Sequence, residues 1–209
     1  MGDRIMADRN LDELPPHDRR RFFGAGLSRV VGALSYAVEK GLRIELPVVR
    51  TTLRPPGALP EKQFLDTCFR CGSCADACPA DAISLTQDTG AKTHGTPYVQ
   101  PSVQACVICD ELACMKACPS GALKLVGRLE IRMGLAHVDH ETCVRSQGEN
   151  CVECIDRCPI ARTAIRLNDA GRIEVIDPKR TGDGCTGCGV CEQVCPTTPK
   201  KAIRILPYA

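Results

Sequence analysis

Cysteine constrains this chain more than any other residue: sixteen of its 209 residues are cysteine, all in four groups of four, each group closing on Cys-Pro. Group one is Cys68, Cys71, Cys74 and Cys78 before Pro79, and group four is Cys185, Cys188, Cys191 and Cys195 before Pro196. Both read C-x2-C-x2-C-x3-C-P, the bacterial 4Fe-4S spacing. Group two (Cys106, Cys109, Cys114, Cys118) carries two extra residues in its middle. Group three (Cys143, Cys151, Cys154, Cys158) carries five extra after its first cysteine. No cysteine is left over.

The spacing suits a cluster because of reach. Two intervening residues let the chain curl so that three thiolates meet three irons of one cubane, and the fourth cysteine faces away toward a neighbouring cluster. Proline after it blocks helix continuation and turns the chain aside. Sixteen thiolates thus satisfy four 4Fe-4S clusters. A zinc site would need separated C-x2-C pairs converging on one ion, and close C-x2-C-x2-C runs are poor geometry for mutual disulfides. Spacing does not choose the pairing of groups: adjacent and nested sharing of the fourth cysteines fit it equally well.

The Cys-Pro cysteines stand at 78, 118, 158 and 195, steps of 40, 40 and 37 residues. After each comes a short alternating segment: Ala82-Ile83-Ser84-Leu85, Ala122-Leu123-Lys124-Leu125, Ala164-Ile165-Arg166-Leu167 and Ala202-Ile203-Arg204-Ile205. Alternation of this kind predicts short half-buried strands. Residues 168–172, with Gly171, predict a hairpin turn into Ile173-Glu174-Val175. The expected fold class is α+β: duplicated bacterial-ferredoxin-like modules, small and metal-stapled, with short strands and helices around four clusters. Aromatics make up 3% of the chain and Trp is absent, so apolar burial alone is marginal and metal ligation couples to folding. Net charge is +2, from 27 basic and 25 acidic residues, which argues against nucleic acid as a partner.

Residues 1–52 contain no cysteine and form an N-terminal arm. Arg19-Arg20-Arg21-Phe22-Phe23 matches the core of a twin-arginine export signal, followed by a mildly apolar run over residues 24–38 that Arg29 interrupts. Folded cluster cargo suits that export route. The competing reading is an interfacial or docking helix, and Ser35-Tyr36-Ala37 offers a weak cleavage site. Residues 53–60, with Pro55, Pro56, Gly57 and Pro60, are expected to be a linker into a four-cluster domain at 61–209.

Other motifs carry little. Gly182-Asp183-Gly184-Cys185-Thr186-Gly187 satisfies G-x-G-x-x-G by accident, because it overlaps a cluster ligand and lacks strand-turn-helix context. No C-x-x-C is followed by His, so there is no c-type haem site. His17, His94, His137 and His140 lack metal-ligand spacing. Lys116, Lys124, Arg70 and Arg157, beside the ligands, read as solvated side chains. No catalytic residue emerges, and the chain reads as a conductor without catalytic activity of its own.

The chain resembles the ferredoxin-type NapG/MauM family, exported four-cluster electron carriers of periplasmic nitrate reduction and methylamine utilisation. The likeness rests on the arginine-Phe motif, Leu53-Arg54-Pro55-Pro56-Gly57-Ala58-Leu59, Gly95-Thr96-Pro97-Tyr98, Met133-Gly134-Leu135-Ala136, His140-Glu141-Thr142-Cys143 and the four cysteine groups. It implies a subunit at the periplasmic, outer face of the cytoplasmic membrane, peripherally associated. On this likeness the chain relays single electrons from a membrane-bound quinol dehydrogenase toward a terminal reductase. Two alternatives stand beside it: a wiring subunit bound to a molybdenum-type catalytic oxidoreductase subunit, on either side of the membrane, and a structural or oxygen-sensing iron-sulfur protein. Similarity to four-cluster electron-transfer subunits implies nested sharing: Cys68, Cys71, Cys74 with Cys195; Cys106, Cys109, Cys114 with Cys158; Cys143, Cys151, Cys154 with Cys118; and Cys185, Cys188, Cys191 with Cys78.

Overall fold

Short elements strung between the cysteine groups make up the protein, whose computed structural model describes residues 51–208. The arginine-Phe motif and the apolar run after it lie outside the described residues. Glu61–Thr67 forms α1, the longest helix among the described residues, which buries Phe64 completely, a contribution of about 1.5–3 kcal/mol. A single helical turn then carries the third cysteine of groups one, two and three: α2 (Ser73–Asp76), α3 (Ala113–Lys116) and α4 (Glu153–Asp156). Pro178–Thr181 forms α5, where the Asp177 carboxylate caps the Lys179 N–H at 3.0 Å. Val190–Val194 forms α6 and carries Cys191. None of the four turns that carry a third cysteine continues, because each meets a Cys-Pro pair whose proline excludes helical backbone before it.

Among the described residues, six strands pair into three two-stranded antiparallel sheets. β1 (Ile83–Leu85) pairs with β2 (Pro97–Val99), with Ile83 opposite Val99. β3 (Gly134–Val138) pairs with β6 (Ile203–Pro207), with Ala136 opposite Ile205. β4 (Ile165–Leu167) pairs with β5 (Ile173–Val175) through the expected hairpin, closed by the Asn168 N–H on the Arg172 carbonyl at 2.9 Å. Three of the four predicted segments are therefore strands. The fourth, around Leu123, makes only an isolated bridge to Ala58, since the segment opposite it turns away at Pro55, Pro56 and Gly57.

Residues 53–60 are not the expected linker. Leu53 accepts from the Val99 N–H at 2.8 Å, Gly57 accepts from Lys124 at 2.8 Å, and Leu59 donates to Ala122 at 3.1 Å. Arg54 is fully buried. Its Nε donates to Glu61 Oε2 at 3.1 Å, its Nη1 donates to Thr96 Oγ1 at 2.8 Å and to the Pro97 carbonyl at 2.9 Å, and its guanidinium lies 4.7 Å over the Phe64 ring. Prolines and glycine here shape a tight bend around that guanidinium. The segment is a wall of the cluster domain.

The core is made of thiols as much as of aliphatics. Cys74, Cys114, Cys143 and all four cysteines of group four are buried among Ile108, Ile131, Met133, Ile165 and Ile203. No described helix is long and apolar enough to cross a membrane.

Candidate metal centres

The first cysteine of each close C-x2-C run begins a left-handed wrap in three of the groups. The residue before the second cysteine takes positive φ: Arg70 at 56°, Ile108 at 51° and Gly187 at 74°. For a non-glycine residue this costs on the order of 1–3 kcal/mol, and the gain is direction. The Arg70 N–H points at Cys68 Sγ from 3.4 Å. Beyond the wrap, a short helical turn brings the third cysteine to the same cavity. The fourth is carried out of it by Cys-Pro.

Four cavities of similar size, 310 to 380 Å³, result. The group-one cavity is lined by Cys68, Cys71, Cys74 and Cys118. The group-two cavity is lined by Cys106, Cys109, Cys114 and Cys78. Cys143, Cys151, Cys154 and Cys195 line the group-three cavity, and Cys185, Cys188, Cys191 and Cys158 the group-four cavity. Each group thus lends its fourth cysteine to its sequence neighbour.

This differs from the nested sharing that resemblance implies. Cys195 stands with group three and not group one, Cys118 with group one and not group three, Cys78 with group two, and Cys158 with group four. The physical reason is chain length. Each Cys-Pro turn passes directly into the segment that packs beside its adjacent group, so Ala82 and Ile83 after Cys78 line the group-two cavity. Likewise Ala122 and Leu123 after Cys118 line that of group one.

None of the sixteen cysteines forms a disulfide. Among the described residues no three acidic, histidine or cysteine side chains converge closely enough to hold a single metal ion. Four thiols spread around each cavity instead, which fits a multi-iron cubane with soft sulfur ligands rather than one tetrahedral zinc. Burial and the thiols of Cys68, Cys114 and Cys118 push Cys74 up to about 12. Burial does the same to Cys106 and Cys154, and raises Cys191 well above the ordinary thiol range. Such thiols surrender protons only when a cation offsets the gathered negative charge.

Sequence reasoning missed the hydroxyls that meet the sulfurs. Ser73 Oγ lies 3.3 Å from Cys71 Sγ, Ser120 Oγ 3.5 Å from Cys118 and Thr197 Oγ1 3.2 Å from Cys195. Hydrogen bonds from Ser73 pull Cys71 below its ordinary range. Burial opposes this at Cys118 and Cys195, yet the hydroxyls and nearby backbone N–H groups bring both below it. The detectable signal is a hydroxyl residue two positions after a ligand.

The described histidines line none of these four cavities, and His140 instead pairs with Ser146 Oγ at 2.9 Å. Lys116 is tied to Glu111 at 2.9 Å, and Arg157 lies 3.9 Å from Glu153. Arg70 does line the group-one cavity, its side chain donating to the Leu65 and Lys92 carbonyls. Two of the three glycines of the accidental G-x-G-x-x-G have a packing role: a Cβ on Gly184 would overlap the Ile176 carbonyl, and one on Gly187 the Gly134 backbone.

Residues 67–122 match a family described as a 4Fe-4S dicluster domain, and residues 182–198 one described as a 4Fe-4S binding domain. The first match spans groups one and two, one of the two pairs whose cavities exchange cysteines. The methylamine utilization ferredoxin-type protein MauM of Methylobacillus flagellatus is 39% identical over 90% of the chain and 83% of its own length. Ferredoxin-type protein NapG of Escherichia coli is 38% identical over 93% of the chain and 88% of its own length. Ferredoxin-type protein NapF of Escherichia coli is 29% identical over 70% of the chain and 81% of its own length.

Proposed function

We propose that this chain, which belongs to the ferredoxin-type NapG/MauM family, relays single electrons through four 4Fe-4S clusters, from a membrane-bound quinol dehydrogenase to a terminal reductase or another redox enzyme. An iron-sulfur electron-transfer role follows from the family and from the 4Fe-4S domains. The observation that carries the fuller reading is the set of four four-thiol cavities in pairs joined by exchanged cysteines.

Each cubane, when bound, takes up and gives back one electron. The chain's own residues hold it, shield it and adjust its charge balance. Cys71 is the exposed ligand, and Phe69 beside it, lining the same cavity, is 69% exposed. This supports the group-one cavity as a point where a partner's redox group approaches. Export to the periplasmic face, with peripheral attachment to the membrane, is supported by Arg19-Arg20-Arg21-Phe22-Phe23. The names of NapG and NapF support a partner in a periplasmic nitrate reductase system.

The test is anaerobic reduction of the full chain by quinol in native membranes, followed by paramagnetic spectroscopy. Growth of 4Fe-4S signals is expected. Centres that stay oxidised under quinol, while dithionite reduces them, reject the quinol side of the relay. Replacing Arg19 and Arg20 by Lys is expected to leave the protein on the cytoplasmic side, and unchanged fractionation rejects export by that signal.

A further inference from the structure

The two halves of the described chain, residues 51–126 and 133–208, are stitched together at one seam. Cys106, which lines the group-two cavity, donates its N–H to the carbonyl of Cys188, which lines the group-four cavity, at 3.0 Å. Gln193 sits on α6 between Cys191 and Cys195 and reaches across. Its Nε2 donates to the Val103 carbonyl at 3.2 Å and to Gln104 Oε1 at 3.3 Å, while its Oε1 accepts from the Ala105 N–H at 3.3 Å. Gly189, at φ 92°, lies against Pro101 so closely that an added Cβ would stand 2.5 Å from the proline Cβ. Among the described residues, every hydrogen bond between these two stretches falls here.

We propose that the four centres form a single line in the order group one, group two, group four, group three, with this seam as its middle crossing and Gln193 and Gly189 as the residues that position it. The inference rests on the reading that the cavities hold clusters. Groups one and two are neighbours because Cys78 and Cys118 are exchanged between their cavities. Groups three and four are neighbours because Cys158 and Cys195 are exchanged. The bond from Cys106 to Cys188 joins group two to group four, which leaves groups one and three at the ends. The spatial order therefore departs from the order along the chain.

The seam gives the crossing a bonded route, covalent but for one hydrogen bond. From Cys106 Sγ it follows the side chain and backbone to the N–H, crosses one hydrogen bond, and follows the Cys188 carbonyl and side chain to its Sγ. The electronic contact decays steeply with any gap in such a route, so a clamp that holds the halves together controls it. With clusters held by these cysteines, the seam would carry one electron, the centre on one side being oxidised by one and that on the other reduced by one. No bond forms or breaks, and no proton moves.

The test uses the anaerobic full chain, partly reduced with dithionite, with iron analysis on every sample. Ligand substitutions Cys109→Ser, Cys151→Ser and Cys188→Ser assign the spectra to groups. In the wild type, spin coupling is expected between the centres of groups two and four. Coupling of group two to group three instead overturns the order. Gln193→Ala is expected to keep the wild-type iron content while weakening that coupling and slowing equilibration between the halves after a pulse of dithionite. Lys200→Ala, which removes a surface pair with Asp139 away from the seam, is expected to leave both unchanged. Gly189→Ala opens the seam further, and if it fails to load, Gln193→Glu, which keeps the Ala105 contact, gives the same reading. Unaltered coupling and equilibration in both Gln193 variants with full iron overturns the seam alone, whereas low iron in the wild type overturns the cluster reading beneath it.

Discussion

Groups one and four have identical cysteine spacing and opposite surroundings. Cys71 of group one is exposed and hydrogen-bonded by Ser73, and its thiol sits below the ordinary range. Group four is buried at all four positions, and burial lifts Cys188 to about 11 and Cys191 well above the ordinary value. The spacing determines which sulfurs meet. The neighbours determine how much charge the sulfurs tolerate. Around group four those neighbours are β3, β5 and the seam, admitted close by Gly184, Gly187 and Gly189. Around group one they are Phe64, Phe69, Arg70 and solvent.

Removing the close approach around group four is expected to have the largest effect. Gly187→Ala places a methyl on the Gly134 backbone at a residue with φ 74°, so the buried group should fail to assemble while residues 67–122 keep their iron. Iron analysis with spectra assigned by group reads this out, and full loading breaks the proposed contrast. Next comes the wall of group one. Arg54→Met leaves the Glu61 carboxylate buried without its guanidinium, and a cost of about 3–5 kcal/mol is expected in denaturant unfolding of the loaded protein. A change below about 1 kcal/mol shows that the wall does not depend on the pair.

Smaller changes sharpen the contrast further. Ser120→Ala removes a hydroxyl from Cys118, and losing about 1.4 kcal/mol of preference for the more negative, reduced centre lowers its potential by about 60 mV. Potentiometric titration checks this, with the group-four centre unmoved as internal reference. The smallest effect is expected at Asp139 and Lys200, a surface pair 2.8 Å apart, where Lys200→Ala is expected to leave the denaturant midpoint of the loaded protein unchanged, because solvent screens such a pair.

Much of the site is legible in the sequence, because ligation depends on local reach. The sixteen cysteines, their grouping and the turns at Cys-Pro follow from a spacing that only a curled chain satisfies. The hairpin at residues 168–172 follows from local turn chemistry in the same way. What the sequence hides is nonlocal. β3 at Gly134–Val138 shows its partner only once residues 203–207 lie beside it. Arg54 looks like a linker charge until α1 brings Glu61 and Phe64 around it. The exchange of fourth cysteines has the same character, since similar gaps between groups allow either pairing and the packing of Ile83 and Leu123 selects one.

The central claim is that all four cavities hold a cubane, and iron and acid-labile sulfide counted on one anaerobically purified sample test it most directly. With four irons to each four-thiol cavity, the expected result is about sixteen irons and about sixteen sulfides per chain. A value near eight in fully intact, spectroscopically homogeneous protein contradicts it.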